Sequence, residues 1–405
     1  MVISLNPPER LSPVKGIRLA TAAAGLRYRD RDDLVLVEIC EQAQTAALFT
    51  ANRFCAAPVV IARRHLAAAQ PRYLLINAGN ANAGLGEPGL DDAQVTCAAL
   101  ANAGGCRETE VLPFSTGVIG ERLAVEKITS HCSSLVGKLQ EDAWLPAAQA
   151  IMTTDTVCKG QSRQLQLDGK AVTITGIAKG AGMIRPDMAT MLAFVATDLE
   201  VGPEQAVRLV REATQQSFHC ITVDGDTSTN DACVLMATAR SGARFSELST
   251  PAMQEFTRAL NSLFLSLAQA IVRDGEGVTK YICIRIEQAH SEKTARDIAF
   301  TIAHSPLVKT SAFASDPNWG RIVAAAGRAP GAALDMDRLS LYINGLAVIE
   351  NGQPAPGYTE AAGSQAMQGE ELELRLALGS GKATAQIWTT DLSHDYVRIN
   401  AEYRT

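Results

Sequence analysis

The sequence predicts a layered protein of the α/β or α+β class, because strand and helix patterns are mixed along its 405 residues. Residues 33–39 (DLVLVEI) form a short, mainly apolar run with the length and composition of a strand. Residues 251–273 place apolar side chains at the spacing of one helix face. The chain contains no internal repeat, coiled-coil heptad or low-complexity linker.

The N-terminal half contains three further strand signals. Residues 73–76 form a short apolar run that leads into a polar, glycine-containing stretch, which predicts a buried strand followed by a loop. Two alternating runs flank Asp168-Gly169 and predict a hairpin. Residues 191–196 are apolar throughout and have the length of a buried strand.

The C-terminal half begins with two helices and returns to strands. Residues 203–218 place apolar side chains on one face, and Pro203 suits the first helical turn. The helix predicted at 251–273 meets a glycine stop immediately afterwards. Strand patterns then surround Asn344-Gly345 and Gly379-Ser380-Gly381.

The bulk composition excludes several classes of protein. The chain is 47% apolar and 20% charged, near the averages for globular proteins, and its net charge is −6. No basic face points to nucleic acid, and the alternating charges of residues 27–33 predict a solvated turn. With no signal peptide and no apolar stretch of about 18 residues, we expect a soluble cytoplasmic protein without a membrane partner.

Cysteine and histidine spacing gives no sign of a cross-linked or metal-bound fold. The nine cysteines include no CxxC pair, and a chain of this size does not need disulfides, so we expect free thiols. The six histidines form no HxH or HxxxH pair. We therefore predict no metal, although a site assembled from distant residues stays open.

One glycine-rich segment, residues 179–198 (KGAGMIRPDMATMLAFVATD), differs from this background. It lacks the GKS or GKT ending of a P-loop and the third glycine of a dinucleotide fold, so it is not a phosphate loop. The pattern indicates a loop that delivers Thr190 to the start of a buried strand. From the residues alone, the simpler interpretation is that Thr190 is a β-forming residue that opens the strand.

This segment resembles the self-cleavage site of the ornithine acetyltransferase family, in which K-G-x-G-M…P-x-x-A-T-M-L surrounds the scissile Ala-Thr bond. Seven further motifs follow the order of the family: 77–83 (NAGNANA), 115–120 (STGVIG), 151–156 (IMTTDT), 222–231 (TVDGDTSTND), 274–277 (DGEG), 315–321 (SDPNWGR) and 399–405 (INAEYRT). Gly84-Leu85-Gly86 and His219-Cys220 depart from the family pattern, which puts only loop detail in doubt.

The resemblance implies a layered sandwich that is superficially similar to the N-terminal-nucleophile hydrolases. It also implies that the chain is cut between Ala189 and Thr190. Residues 1–189 and 190–405 would then form an alpha and a beta chain of one catalytic unit. Two such units would associate into a heterotetramer of two alpha and two beta chains.

The implied reaction moves acetyl from N2-acetyl-L-ornithine to L-glutamate, the acetyl-recycling step of arginine biosynthesis. Thr190 would be the nucleophile, with its own free α-amine as the base, and Thr116 and Gly117 would form the oxyanion hole. A lysine suits a substrate carboxylate and a glutamate suits the ornithine ammonium. The substrate-binding residues implied are Thr153, Lys179, Thr190, Glu276, Asn400 and Thr405.

Two matters stay open at this level. The resemblance implies no metal or organic cofactor, but family members differ in whether acetyl-CoA also serves as a co-substrate. An N-terminal-nucleophile amidohydrolase or aminopeptidase of related fold would instead pass the acyl group to water. A third possibility is a binding protein that keeps the fold without cleavage, which the intact Ala189-Thr190 pair disfavours.

Overall fold

The computed structural model describes residues 2–185, 191–331 and 334–402, which divide into two units. The larger unit consists of residues 6–219 and 226–271. The smaller unit consists of the described parts of residues 1–5, 220–225 and 272–405.

Among the described residues, the larger unit contains two sheets and seven α-helices, the last of them in part. One sheet has the strand order β1-β2-β4-β5 and the other has the order β3-β9-β8-β7-β6. The strands are β1 (Ile17–Ala22), β2 (Leu34–Ile39), β3 (Gln44–Phe49), β4 (Tyr73–Asn80), β5 (Val111–Val118), β6 (Lys159–Leu167), β7 (Lys170–Lys179), β8 (Leu192–Thr197) and β9 (Ala232–Ala237). The helices are α1 (Ala57–Ala68), α2 (Glu87–Gly104), α3 (Val125–Thr129), α4 (Cys132–Gly137), α5 (Trp144–Ala150), α6 (Pro203–Gln215) and the part of α7 (Thr250–Arg273) up to residue 271.

The two sheets face each other across one apolar core. Alternate side chains of β2, β4 and β5 meet alternate side chains of β7, β8 and β9, as the two-residue period of strands requires. At the centre, the rings of Phe114 and Phe194 pack edge to face with centroids 5.1 Å apart. This arrangement confirms the predicted layered sandwich.

Helices cover the outer faces of both sheets. Leu36 and Leu75 of the first sheet pack in one apolar cluster with Cys97 and Leu100 of α2. On the second sheet, Gly176 of β7 lies so close to α7 that an added Cβ would stand 3.0 Å from Leu263. Because both of its faces are covered, every residue of β8 is buried, which explains the uninterrupted apolar run.

The smaller unit is built on a sheet of order β13-β12-β11-β14-β10-β15. Its strands are β10 (Tyr281–Ala289), β11 (Ser340–Ile343), β12 (Leu346–Glu350), β13 (Gln353–Pro354), β14 (Glu371–Ala377) and β15 (Ala383–Thr390). Its helices are α8 (Glu292–Ala303), α9 (Pro306–Phe313), α10 (Trp319–Gly327), α11 (Glu360–Ala366) and α12 (His394–Ala401). The opposite sides of β10 differ: Ile282, Ile284 and Ile286 are buried, whereas Arg285 pairs with Glu373 at 3.2 Å on the open face.

Most of the local predictions are confirmed. Strand β2, the β6–β7 hairpin, strand β8, helix α7 and the β11–β12 hairpin occupy the predicted segments. Helix α6 ends at Gln215, three residues earlier than predicted. All nine cysteines are free thiols, as their spacing predicts.

One local prediction is wrong in its extent. The strand predicted at 73–76 continues to Asn80, because the amide side chains in its second half find partners inside the protein. The strand patterns around Gly379-Ser380-Gly381 are confirmed as β14 and β15, and β10 lies between these two strands and pairs with both.

Two kinds of feature are absent from the described part of the chain. No helix in it is long and apolar enough to cross a membrane. Within the same residues, no group of three or more His, Cys, Asp or Glu side chains is arranged to hold a metal ion.

The contact between Phe114 and Phe194 predicts which core substitution weakens the larger unit most. Phe194→Ala should lower the free energy of unfolding by about 3–5 kcal/mol, because it leaves a cavity between the two sheets. Val207→Ala is the control: Val207 lies on α6 with 43% of its surface exposed, so we expect a change within about 0.5 kcal/mol. Urea unfolding followed by circular dichroism measures both, and equal losses would contradict the proposed core.

Candidate active site

An asparagine-rich motif fixes the backbone where the parallel strands β4 and β5 end. Asn77 donates a hydrogen bond of 2.6 Å to the Ser115 hydroxyl, and Asn80 donates to the carbonyl of Glu121 at 3.0 Å. The Asn230 amide donates to the carbonyls of Ala81 at 2.6 Å and Ser115 at 3.0 Å. These buried amides hold together the segments that carry the rest of the site.

Thr116 and Gly117 lie within the last three residues of strand β5. Gly117 has a φ of +131°, and a Cβ at this position would stand 2.3 Å from the backbone carbon of Gly79 on β4. Only glycine permits this close approach of the two strands. The constraint sets the direction of the backbone immediately after the half-buried Thr116.

Lys179 brings three of the predicted site residues together. It is the last residue of β7, and its side chain is buried. Its ammonium group donates hydrogen bonds to the Thr153 hydroxyl at 2.7 Å and to the Thr116 hydroxyl at 3.1 Å. The predicted grouping of Thr116, Thr153 and Lys179 is therefore present in the larger unit.

A buried ion pair supports this cluster. The Asp155 carboxylate lies 2.6 Å from the Lys159 ammonium and accepts hydrogen bonds from Gly180 N–H at 2.7 Å and Thr153 N–H at 3.0 Å. Burial by itself would raise the pKa of Asp155. The pKa is nevertheless held well below its usual range, because the ammonium groups of Lys159 and Lys179 lie nearby and the carboxylate accepts hydrogen bonds from Lys159 and Gly180. The carboxylate thus ties Thr153 to the start of the glycine-rich loop.

The charged run at residues 27–33 is only in part the predicted solvated turn: Arg27, Arg29 and Asp30 are exposed, whereas Arg31 and Asp33 have partners inside the protein. The Arg31 guanidinium stacks 3.7 Å from the Tyr28 ring and donates to the carbonyls of Met152 and Thr153. Asp33 is buried and accepts the N–H groups of residues 24 and 26. The run therefore packs against the backbone that carries Thr153.

Asp231 is a further polar residue that the sequence interpretation did not select. It is 5% exposed and directly precedes β9. Burial raises the pKa of its carboxyl group well above the usual value, although hydrogen bonds from Ser228 and Met191 N–H and the charge of Lys179 act in the opposite direction. The only sequence signal was its place at the end of the 222–231 motif.

In the smaller unit, Glu276 and Asn400 are brought together. The Asn400 amide on α12 donates to the Glu276 carboxylate at 2.8 Å, and Glu276 is 9% exposed. Gly277 makes this possible, since a Cβ there would stand 2.3 Å from the backbone nitrogen of Tyr396 at the start of α12. The C-terminal helix thus docks onto the segment that carries Glu276.

Three predicted site residues, Ala189, Thr190 and Thr405, lie outside the described residues. The strands on either side of the first two are described. β7 ends at Lys179, β8 begins at Leu192, and these two residues are paired across the antiparallel ladder. The predicted cleavage site therefore lies in a connection that leaves and rejoins the same sheet.

The sandwich thus carries a buried ammonium with two threonine hydroxyls, groups of the kind that bind a carboxylate or stabilise a negative oxygen in an enzyme. The chain belongs to the ArgJ family, whose family model matches residues 18–405.

Similar proteins agree with this assignment. An arginine biosynthesis bifunctional protein ArgJ from Methylococcus capsulatus is 53% identical over 98% of this chain and 97% of its own length. A protein of the same name from Pseudomonas fluorescens is 48% identical over the full length of both chains. Among solved structures, ornithine acetyltransferase from Mycobacterium tuberculosis complexed with ornithine is 33% identical, covering 44% of this chain and 94% of that one, with a TM-score of 0.38.

Family membership confirms the predicted class of reaction. The protein is an acetyltransferase of arginine biosynthesis that acts on small molecules. The alternatives of a related amidohydrolase or aminopeptidase, and of a binding protein without catalysis, do not hold.

The close approach of β4 and β5 predicts a strict requirement for glycine. Gly117→Ala should lower the free energy of unfolding by at least about 2 kcal/mol, since the strained φ costs about 1–3 kcal/mol and the overpacking a similar amount. Gly137→Ala is the matched control, because no described atom outside its own helix and its chain neighbours lies within 4 Å of the added methyl group. Thermal unfolding of both variants measures the difference, and a Gly117→Ala protein as stable as the control would contradict the geometry.

Proposed function

We propose that this chain cuts itself between Ala189 and Thr190 and then uses the Thr190 hydroxyl to carry acetyl from N2-acetyl-L-ornithine to L-glutamate. The observation that supports this most is the Lys179 ammonium, which donates to the hydroxyls of Thr116 and Thr153. This cluster lies at the end of the strand that leads into the proposed cleavage segment.

Self-cleavage would create the second group that the reaction needs. An acetyl amide opens slowly because its nitrogen is a poor leaving group, and a covalent acyl-enzyme divides the transfer into two easier steps. A threonine hydroxyl requires a base for this attack. The α-amine released at Thr190, with an unperturbed pKa of about 8, titrates near the working pH and can accept the proton.

Thr116 is suited to stabilise the oxyanion because of its contact with Lys179. An ammonium group only donates hydrogen bonds, so the Thr116 hydroxyl must be the acceptor in the 3.1 Å contact. Its own proton is then directed elsewhere and is available to a substrate oxygen. We propose that this hydroxyl and the backbone N–H of Gly117 together bind the negative oxygen of the tetrahedral intermediate.

The transfer itself is a balanced exchange of amines. The Thr190 oxygen bonds to the acetyl carbon, the carbon–nitrogen bond of acetylornithine breaks, and the α-ammonium returns a proton to the departing ornithine. The glutamate amine then attacks the acetyl ester, and the Thr190 hydroxyl is restored with N-acetyl-L-glutamate as product. One nucleophile thus serves donor and acceptor in turn.

The charges of the amino-acid substrates need opposite charges in the protein. We propose Lys179 and Thr153 for a substrate carboxylate, with Lys179 as the point charge. For the ornithine ammonium we propose Glu276, whose carboxylate is oriented by the Asn400 amide. We propose Thr405 as a further substrate-binding residue.

The assembly and the donor are also part of the proposal. Strand β7 of the 1–189 fragment pairs with β8 of the 190–405 fragment, and β3 pairs with β9 in the same way, which supports fragments that stay associated. We propose a heterotetramer of two alpha and two beta chains in the cytoplasm, without a metal or organic cofactor. Because the curated relatives are called bifunctional, we propose acetyl-CoA as a second acetyl donor.

Thr190 is the residue on which this function is tested most directly. The wild-type protein should separate under denaturing conditions into residues 1–189 and 190–405, and the second fragment should begin Thr-Met-Leu-Ala-Phe. Thr190→Ala lacks the hydroxyl oxygen that both self-cleavage and acetyl transfer require. It should therefore stay a single chain without transferase activity. Thr190→Ser keeps the hydroxyl but loses the methyl that limits its rotamers, and should cleave and transfer more slowly.

Intact mass spectrometry, N-terminal sequencing and an acetyl-transfer assay measure these outcomes. Normal cleavage or appreciable transfer by Thr190→Ala would show that Thr190 is not the nucleophile.

The contact between Lys179 and Thr116 predicts a separate effect on turnover. Thr116→Ala should lower kcat by about 10²–10³-fold with little change in KM, the usual loss for one oxyanion donor. Thr116→Ser should recover most of that loss, because it keeps the hydroxyl. Thr129→Ala, which removes a surface hydroxyl on α3, is the control and should have wild-type kinetics. Steady-state kinetics on the cleaved enzymes measure these effects. An unchanged kcat in Thr116→Ala would contradict the proposed role of Thr116 in the oxyanion hole.

A further inference from the structure

A small cavity lies between the first sheet of the larger unit and the helices that cover it. Strands β4 and β5 line one side of the cavity, and α1, α2 and α3 contribute to the other. Every residue that lines it is buried, and most of these residues are apolar. Four of them have polar side chains: Asn77, Asn82, Thr96 and Ser115.

The Oδ1 atom of Asn82 is buried and meets no hydrogen-bond donor in the described part of the chain. The amide nitrogen of the same side chain donates to the Gly89 carbonyl at 2.9 Å, which fixes the orientation of the amide. Nearly all buried polar atoms in native proteins have a partner, either a protein group or an ordered water. The cavity that Asn82 lines is where such a partner can lie.

Two hydroxyl groups in the cavity wall complement this oxygen. The Ser115 hydroxyl accepts a hydrogen bond from the Asn77 amide at 2.6 Å, and no acceptor for its own proton lies among the described residues. The Thr96 hydroxyl donates to the Ala93 carbonyl at 2.8 Å, so it can only accept a further hydrogen bond. The wall therefore offers one donor, from Ser115, and two acceptors, from Asn82 and Thr96.

We propose that the cavity binds one ordered water molecule, which accepts a hydrogen bond from Ser115 and donates to Asn82 Oδ1 and Thr96 Oγ1. Three hydrogen bonds are typical of a buried water. The cavity volume, counted as the space open to the centre of a water molecule, is about 10 Å³, close to what one water requires. A metal cation does not fit this set, because it offers no acceptor for the Ser115 proton.

The water closes a ring of hydrogen bonds at the end of the parallel strands. Asn80 N–H donates to Asn77 Oδ1 at 3.3 Å, and Asn82 N–H donates to Asn80 Oδ1 at 2.7 Å. The Asn77 amide continues the ring to Ser115, and the water leads from Ser115 back to Asn82. The ring fixes the end of β5 against the loop after β4, and this inference does not depend on the proposed self-cleavage or acetyl transfer.

A high-resolution crystal structure of the wild-type protein tests the site directly. We expect one density peak about 2.5–3.0 Å from each of Ser115 Oγ, Asn82 Oδ1 and Thr96 Oγ1. Three results would overturn the proposal: a cavity without density, a protein group bonded to Asn82 Oδ1, or a peak with the six or more oxygen ligands of a hard cation.

Substitutions of Thr96 test the effect of the water in solution by hydrogen exchange. Thr96→Val removes one acceptor and keeps the shape of the side chain, so the amides of residues 111–118 should exchange about 2–10-fold faster, the effect of one lost hydrogen bond. Thr96→Ser keeps the hydroxyl and should exchange like wild type. Thr257→Val is the matched control, because Thr257 is half-buried on α7 and its hydroxyl also donates to a backbone carbonyl, that of Met253 at 2.9 Å.

The two Thr96 variants separate the water from simple packing. Equal exchange in Thr96→Val and wild type, or the same acceleration in Thr96→Ser as in Thr96→Val, would contradict the water bridge. If Thr96→Val does not fold, the density in the wild-type crystal still decides.

Discussion

The buried ammonium of Lys179 is the interaction on which the site depends. A positive charge in a protein interior is tolerated only when its hydrogen bonds and counter-charge are supplied. Here the hydroxyls of Thr116 and Thr153 accept its hydrogen bonds, and the Asp155 carboxylate adds negative charge nearby. Because Asp155 also accepts the N–H of Gly180, the same charges fix the end of β7 and the beginning of the glycine-rich loop.

The two-sheet architecture explains how a chain can lose a peptide bond and keep its structure. The proposed cut lies in a connection between β7 and β8, so no strand hydrogen bond is lost when it is made. Strand β8 stays between β7 and β9, and its side chains stay in the core that the two sheets share. A chain end made there would lead into β8, a strand that is hydrogen-bonded on both sides, whereas most chain ends fray.

Local sequence patterns correctly predicted the strands and helices that pack only against an apolar core. The apolar run of β8 and the single apolar face of α7 need only a core to pack on, so spacing alone identified them. The second half of β4 was missed because its asparagines are satisfied by residues far away in the chain, such as Ser115. Thr116, Thr153 and Lys179 were named from a resemblance, and the structure shows them in contact. Asp231 was not identified for the same reason as the second half of β4. Its buried environment is formed by residues that are distant in the sequence, which no local pattern contains.

The pairing of β3 with β9 has a consequence for the order of events in biosynthesis. These strands are separated by most of the N-terminal fragment and by β8, so their contact is of the slow, non-local kind. The residue that precedes β9 and the residue that follows β3 are joined by the hydrogen bond from Thr50 N–H to the Asp231 carbonyl. Strand β8 therefore gains its second hydrogen-bonded neighbour in a complete five-stranded sheet only after the ribosome has released both β3 and β9. A cut made after that point would show, on each molecule, that this sheet had already formed.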